Sequence, residues 1–238
     1  MICMIKLDKV SKKFGTGFFA LSDINFSVEK GEFVFLVGPT GSGKTTIFRL
    51  LIRDLLPSAG IITVEDFDIV KLPHRKIPFL RKKIGFVFQD LKLLLDQTIF
   101  ENIALSLEIA NVPMIEAKKR AEDVLEKVGI IDHKDKFPVQ LSGGELQRAA
   151  IARALALSPD IVLADEPTGN LDLETSWEIV KLLESINEKG TTIVMATHNT
   201  EILKNFSKRV VGLDKGHLVR DESPSSVGRR TSEDQVKK

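Results

Sequence analysis

Over residues 4–10 and 20–28 the chain alternates apolar and polar positions at a period near two, with a turn at Gly15-Thr16-Gly17 between the two segments. Such alternation marks strands with one buried face. Lys30-Gly31 then turns the chain into Phe33-Val34-Phe35-Leu36-Val37, an unbroken apolar run that reads as a strand buried on both faces. Similar short runs recur at 61–64, 84–88, 161–164 and 192–196. Between them the period changes to that of a helix. Helices are predicted over 47–52, through 98–128 with a break at Asn111-Val112-Pro113, over an alanine-rich 145–157, and around Trp177 to Glu188. Pro57-Ser58-Ala59-Gly60 is a further break. Buried strands alternating with helices predict an α/β core with a parallel sheet. The long helical stretch predicts a helical insertion at about 90–158. The segment 221–238 is rich in Ser, Arg and acids with almost no apolar mass, and it reads as a disordered tail.

Composition changes this picture little, but it excludes several classes. The formal net charge of +1 over 238 residues gives no strong field of the kind that draws nucleic acid. Cys3 is the single cysteine, so no internal disulfide forms, which is compatible with a reducing compartment. No apolar run approaches the ~18 to 20 residues of a membrane span. The apolar start, Met1-Ile2-Cys3-Met4-Ile5, is too short for a secretory signal. The chain is expected to be soluble, with any membrane attachment supplied by another molecule.

The chemistry is concentrated in Gly38-Pro39-Thr40-Gly41-Ser42-Gly43-Lys44-Thr45-Thr46, which fits G-x-x-x-x-G-K-[ST] between a predicted strand and a predicted helix. Glycines let successive backbone N–H groups face an anion, and the following helix points its positive end at the same place. Lys44 adds a charge for the β- and γ-phosphates, and Thr45 offers a hydroxyl to Mg²⁺. The motif predicts binding of a nucleoside triphosphate. The run 161–164 ends in Asp165 and Glu166. A parallel sheet delivers such strand ends to one crevice, where Asp165 can hold the shell of Mg²⁺ and Glu166 can polarise an attacking water.

Leu141-Ser142-Gly143-Gly144-Glu145 completes a resemblance to the ATP-binding cassette ATPases that extends to about residue 218. Ser142, Gly143 and Gly144 present a hydroxyl and N–H donors at a predicted helix start, an anion site. Ser142-x-x-Glu145 is equally a capping box, and both readings can hold. Glu145 stands where the family signature most often has Gln, and a carboxylate there is not expected to touch phosphate. In family order follow Gln89, matching the glutamine that touches the metal and senses the transporter; Gly169-Asn170-Leu171-Asp172, matching the D-loop; and His198, matching the switch histidine of the γ-phosphate. Phe14 takes the adenine-stacking position, where Tyr is common, with Phe18 or Phe19 as alternatives.

The resemblance implies a RecA-like P-loop core, an N-terminal antiparallel β subdomain and an inserted α-helical subdomain carrying the signature, together one domain over 1–220. It implies a homodimer formed on ATP binding, with the P-loop of one copy facing Ser142 of the other, and ATP hydrolysis that drives an integral membrane partner. Residues 77–90, 94–104, 137–145 and 164–172 are most similar to the cell-division branch, where the complex regulates peptidoglycan hydrolysis at the septum. The lipoprotein-release and macrolide-type branches share part of these words and are the alternative. The place of work so implied is peripheral, on the cytoplasmic side of the plasma membrane. Lys44 and Leu141 are 141 − 44 = 97 positions apart with no heptads, too close for the long coiled coils of chromosome-organising relatives. Leu91, Leu93, Leu94 and Leu95 either pack a helical lobe or form a docking patch for the membrane partner. Arg75, Lys76, Arg81, Lys82 and Lys83 are either a solvated face or a contact for anionic lipid heads.

Overall fold

A computed structural model describes residues 2–15, 17 and 19–223. The chain divides into two compact units, one built from the segments up to Leu72 and from Val194 onward, the other from Pro73–Ile193.

The first unit begins with β1 (Cys3–Lys13) and β2 (Phe19–Glu29), the two alternating segments of the sequence. They pair antiparallel, with Lys6 opposite Ser27 and Leu7 opposite Phe26. Ile24, Phe26 and Val28 point inward in strict alternation. In β1 the buried set slips from Ile5 and Leu7 to Val10. A register shift lies between Leu7 and Val10, and Lys9 there has φ 50°, so a bulge restores the inward face. After β3 (Phe33–Val37) and α1 (Lys44–Leu51), the strands β4 (Ala59–Val64) and β5 (Phe67–Asp68) complete an antiparallel sheet of order β2-β1-β4-β5.

The second unit holds α2 (Ile77–Lys83), β6 (Ile84–Val87), α3 (Ile99–Ile109), α4 (Met114–Val128), α5 (Gly143–Leu155), β7 (Ile161–Asp165) and α6 (Leu173–Asn187). The strands β6 and β7 pair parallel, with Ile84 opposite Ile161 and Val87 opposite Ala164. Every residue of β7 is buried, as its apolar run requires. The helices α3, α4 and α5 pack on one another. A proline marks the start of α4 and Gly129, at φ 76°, ends it.

The division between the units falls inside β8 (Thr192–Thr197), all of it buried. The chain then adds α7 (Thr200–Asn205), β9 (Arg209–Asp214) and β10 (His217–Glu222) to the first unit. There β9 lies parallel to β3, with Val34 opposite Arg209 and Val37 opposite Gly212, and antiparallel to β10.

Asp221 and Glu222 belong to β10, so the polar tail does not begin at 221. The reason is a charge cluster in which Arg209 joins Asp221, across the β9–β10 pair, to Glu32, 177 positions away. Arg209 donates from Nε and Nη2 to the two carboxylate oxygens of Asp221 at 2.7 and 2.8 Å, and from Nη1 to Glu32 at 3.0 Å. Residues 224–238 lie outside the described part of the chain. The basic run also departs from a uniformly solvated face. Lys82 donates to the Ala110 carbonyl at 2.9 Å and Lys83 pairs with Asp160 at 2.6 Å, while Arg75, Lys76 and Arg81 are exposed.

The alanines of α5 let it approach β6 closely. A Cβ at Gly85 would lie 2.4 Å from the Ala154 carbonyl oxygen and 3.0 Å from Pro159 Cγ. Neither the helix backbone nor the proline ring can turn aside. Gly85→Ala is therefore expected to cost about 1–3 kcal/mol of stability, as overpacking does elsewhere. A denaturant midpoint equal to that of the parent chain would contradict this packing.

Candidate functional site

In the first unit the P-loop runs from the end of β3 into α1. Gly38, at φ 154°, has no room for a side chain: a Cβ would meet the Leu213 carbonyl oxygen at 2.2 Å and Ser42 Oγ at 2.6 Å. Gly43, the N-cap of α1 at φ 110°, would meet Leu21 Cδ2 at 2.6 Å and the Ala20 carbonyl oxygen at 2.8 Å. The loop is thus wrapped tightly enough that glycine is the only residue that fits at either position. Pro39, Thr40 and Gly41 are exposed, whereas Ser42, Gly43 and Lys44 are buried. Lys44 Nζ folds back to donate to the carbonyls of Gly38 at 2.8 Å and Pro39 at 3.2 Å.

The start of α1 differs from that of every other α-helix among the described residues. Thr98, Ser142, Asp172 and Asn199 cap α3, α5, α6 and α7 with side-chain oxygens, and prolines stand at the starts of α2 and α4. No side chain caps α1, no proline begins it, and its first turn has no acid. Ser42 Oγ is buried without a hydrogen-bond partner. A buried hydroxyl of unspent capacity, a helix start left open and a buried ammonium fit a phosphate chain. Thr45 is exposed and Thr46 half-buried at the same helix start.

His198 belongs to this unit as well, exposed in the turn between β8 and α7. The turn is fixed on both sides of it. Asn199 N donates to Thr197 Oγ1 at 3.0 Å, and Asn199 Oδ1 accepts from Glu201 N at 2.9 Å. Phe14 follows β1 with its ring 37% exposed and Lys12 Nζ 5.3 Å from its centroid. Phe19 is likewise exposed, and Phe18 lies outside the described residues.

In the second unit Gln89 and Glu166 leave the same end of two paired strands, because the register sets Val87 opposite Ala164. Asp165 is buried at the tip of β7. Glu166 takes a left-handed φ of 48°, which a non-glycine residue adopts at a cost of about 1–2 kcal/mol. Its carbonyl accepts from Gly169 N at 3.1 Å, closing the turn that carries the carboxylate off the strand.

The signature and the D-loop form one block. Ser142 caps α5, and its capping box is complete. Glu145 Oε2 accepts from Ser142 N and from Ser142 Oγ, each at 2.7 Å, while Glu145 N donates to Ser142 Oγ at 3.4 Å. Glu145 Oε1 lies 3.2 Å from His133 Nδ1. Asp172 caps α6, accepting from Thr175 N at 2.9 Å and Thr175 Oγ1 at 2.7 Å. The two helix starts touch: a Cβ on Gly144 would lie 2.7 Å from Thr175 Cγ2, and one on Gly143 would lie 3.3 Å from Leu171 Cδ2. A cavity of about 360 Å³ opens between them, lined by Ser142, Gly143, Gly144, Asn170, Leu171 and Asp172 among others. Sequence reading sees the signature glycines as phosphate contacts; the fold adds that they let α5 seat against the D-loop.

Three residues of the second unit escaped sequence reading. Arg148 ties α5 to the end of α4 through the Val128 carbonyl at 3.0 Å and to Glu178 at 2.8 Å. Arg153 and Asn102 hold the loop after Gln89. Their signal was only a polar side chain on a helix, which alone does not say what it reaches.

A model of the ABC transporter family matches residues 21–169, from before the P-loop through the signature to Gly169. The chain belongs to the ABC transporter family and is an ATP-binding cassette of it. It is 47% identical to the cell division ATP-binding protein FtsE of Bacillus subtilis (strain 168), over 94% of this chain and 99% of that one. With FtsE of Escherichia coli (strain K12) it shares 44% identity, over 90% and 97% of the two chains. Among solved structures, the ATP-binding cassette MJ0796, a dimer in a post-hydrolysis state bound to ADP and Pi, superposes with a TM-score of 0.83 at 35% identity, covering 93% of this chain and 99% of that one.

The capping box has a pH signature. Ser142 N–H first, then the Ser142 hydroxyl, hold the Glu145 carboxyl below the usual glutamate range, with His133 and Lys136 adding to the effect. A carboxyl that titrates lower in the folded chain supports the fold fully above the unfolded value and loses that support as pH falls through the folded one. The Glu145 carboxyl carbon shift, followed by NMR, is expected to titrate below the free value of about 4.3. A midpoint at or above it would mean that the box is not formed in solution.

Proposed function

We propose that this cassette is the ATP-hydrolysing subunit of a membrane ABC complex, pairing with a second copy of itself when ATP is bound. The observation that carries the reading is the uncapped start of α1 behind a loop that admits only glycine at Gly38 and Gly43. In this reading Gly38, Pro39, Thr40, Gly41, Ser42, Gly43, Lys44, Thr45 and Thr46 hold the phosphates, and Phe14 stacks on adenine. Ser142, Gly143 and Gly144 of the second copy meet the terminal phosphate, with Asp172 beside them. In the same reading Thr45, Gln89 and Asp165 are the residues that would hold Mg²⁺, a cation that takes few protein ligands together with phosphate oxygens and water, and it would neutralise phosphate charge.

The remaining steps belong to side chains. Glu166 orients the attacking water and accepts its proton, and His198 contacts the γ-phosphate. ATP bound between two copies favours the closed pair by its differential affinity, and loss of the γ-phosphate removes the Ser142 contact. The output is motion of a partner. The relatives named for cell division favour an integral membrane partner resembling FtsX and control of peptidoglycan hydrolysis at the septum, with the cassette peripheral on the cytoplasmic side. No α-helix among the described residues is long and apolar enough to cross a membrane, so a partner supplies the span. Leu94 and Leu95, 43% and 65% exposed, supply a docking patch for it.

Glu166→Gln is expected to lower turnover by about 10²- to 10⁴-fold, the usual worth of a general base, while ATP-dependent pairing persists in light scattering. Turnover at the parent rate removes Glu166 from this role. Lys44→Ala is expected to weaken nucleotide binding in calorimetry; affinity equal to the parent's contradicts the assignment of the P-loop.

A further inference from the structure

The turn that follows Gln89 is held in a conformation its residues do not favour. Leu91 and Lys92 are consecutive non-glycine residues with φ 56° and 52°, in the left-handed region that L side chains avoid. Local hydrogen bonds close the turn, from Leu91 N to the Phe88 carbonyl at 3.0 Å and from Lys92 N to the Asp90 carbonyl at 2.6 Å. The carbonyls of both strained residues go to one side chain. The Arg153 guanidinium donates through Nη2 to Leu91 at 2.5 Å and through Nη1 to Lys92. The planar guanidinium gives each carbonyl its own N–H in a fixed geometry, whereas an ammonium would have to serve both from a single nitrogen. Arg153 is half-buried, and that burial pushes its pKa down.

The far side of the same loop is held from α3. Asn102 is 1% exposed, its Oδ1 accepts from Leu94 N at 2.7 Å, and its Nδ2 donates to the carbonyls of Leu94 at 3.0 Å, Gln97 at 3.2 Å and Thr98 at 2.9 Å. Residues 91–97 are therefore pinned at both ends while the side chains of Leu94 and Leu95 stand outside. Arg153 lies in the last turn of α5, and the N-cap of that helix is Ser142. One helix thus has the signature at its start and the clamp on this loop near its end.

We propose that Arg153 is a positioning residue that makes the loop after Gln89 and the signature helix α5 move as one body, so that displacement of Leu94 and Leu95 reaches Ser142. The proposal rests on the ATPase and partner reading above. Glu166 and Lys44 act on the nucleotide; Arg153 acts only through the loop and the helix it joins.

The test uses the full chain in three forms: parent, Arg153→Lys, and Arg153→Lys with Leu91→Gly and Lys92→Gly. Amide hydrogen exchange is followed over 91–95 and 142–146, alongside steady-state ATP turnover. Lysine keeps the charge and loses the fork, so protection over 91–95 is expected to fall about tenfold, with faster exchange at 142–146 as well. Turnover is expected to fall about tenfold in kcat with KM for ATP unchanged, the split of a residue that does not touch substrate. Glycine adopts positive φ freely but does not rebuild the link to α5, so the triple variant is expected to recover protection over 91–95 relative to Arg153→Lys while kcat stays low; parent-like kcat in the triple variant overturns the coupling. Unchanged exchange over 91–95 in Arg153→Lys overturns the clamp. Lost protection there with parent-like kcat and parent-like exchange at 142–146 overturns the coupling and leaves Arg153 a local support. A parent chain without ATP turnover overturns the ATPase reading instead, and exchange at 142–146 then decides this one.

Discussion

A helix starts with backbone N–H groups that have no partner within it, and each α-helix of this chain meets that deficit in its own way. Thr98, Ser142, Asp172 and Asn199 lend side-chain oxygens, and prolines begin two more helices. Among the described residues only α1 has neither, and it follows a loop packed so closely that Gly38 and Gly43 cannot carry a methyl group. The cost of that open start is recovered when an anion supplies the missing acceptor. The rest of the site is organised around this deficit: Lys44 is buried beside it, and Ser42 keeps a hydroxyl unspent.

The same rule works in the opposite sense at α5. There the chain supplies its own anion, since the Glu145 carboxylate takes both the N–H and the hydroxyl of Ser142. In the proposed pairing, a terminal phosphate arriving from a second copy would meet a Ser142 whose N–H and hydroxyl already have an acceptor. Whatever free energy the closed pair gains at Ser142 is a difference between two acceptors and not the full worth of a new contact. A glutamate in place of the commoner glutamine makes that difference smaller, because the resident acceptor is charged. The D-loop shares in this balance: Gly144 seats against Thr175, and Thr175 is the residue that Asp172 caps.

In the proposed function the second unit is also where the cassette meets its partner. Its exposed leucines stand on a loop that Arg153 and Asn102 hold rigid, and a rigid loop transmits displacement that a loose one would absorb. In the proposed function that displacement comes from a membrane partner. The fold supplies the parts that carry it, through an arginine fork on two strained carbonyls and a buried amide on the backbone of one leucine.

Local chemistry was legible from the order of residues. A P-loop between an apolar strand and a helix, two acids at a strand end, and Ser-x-x-Glu at a helix start each depend on groups a few positions apart, so sequence spacing stands in for geometry. The alternation of β1 and β2 and the breaks at Pro57 and Pro113 were readable for the same reason. What the tertiary structure alone decided depends on residues remote in sequence. Arg209 draws Asp221 into a strand that composition had assigned to a tail, and the Ala154 carbonyl leaves Gly85 no room for a methyl group. Arg153 reaches across 62 positions to Leu91, and Thr175 explains why Gly144 is glycine. A side chain on one helix carries no mark of the carbonyl it will meet on another element, because folding, and not sequence distance, sets that separation.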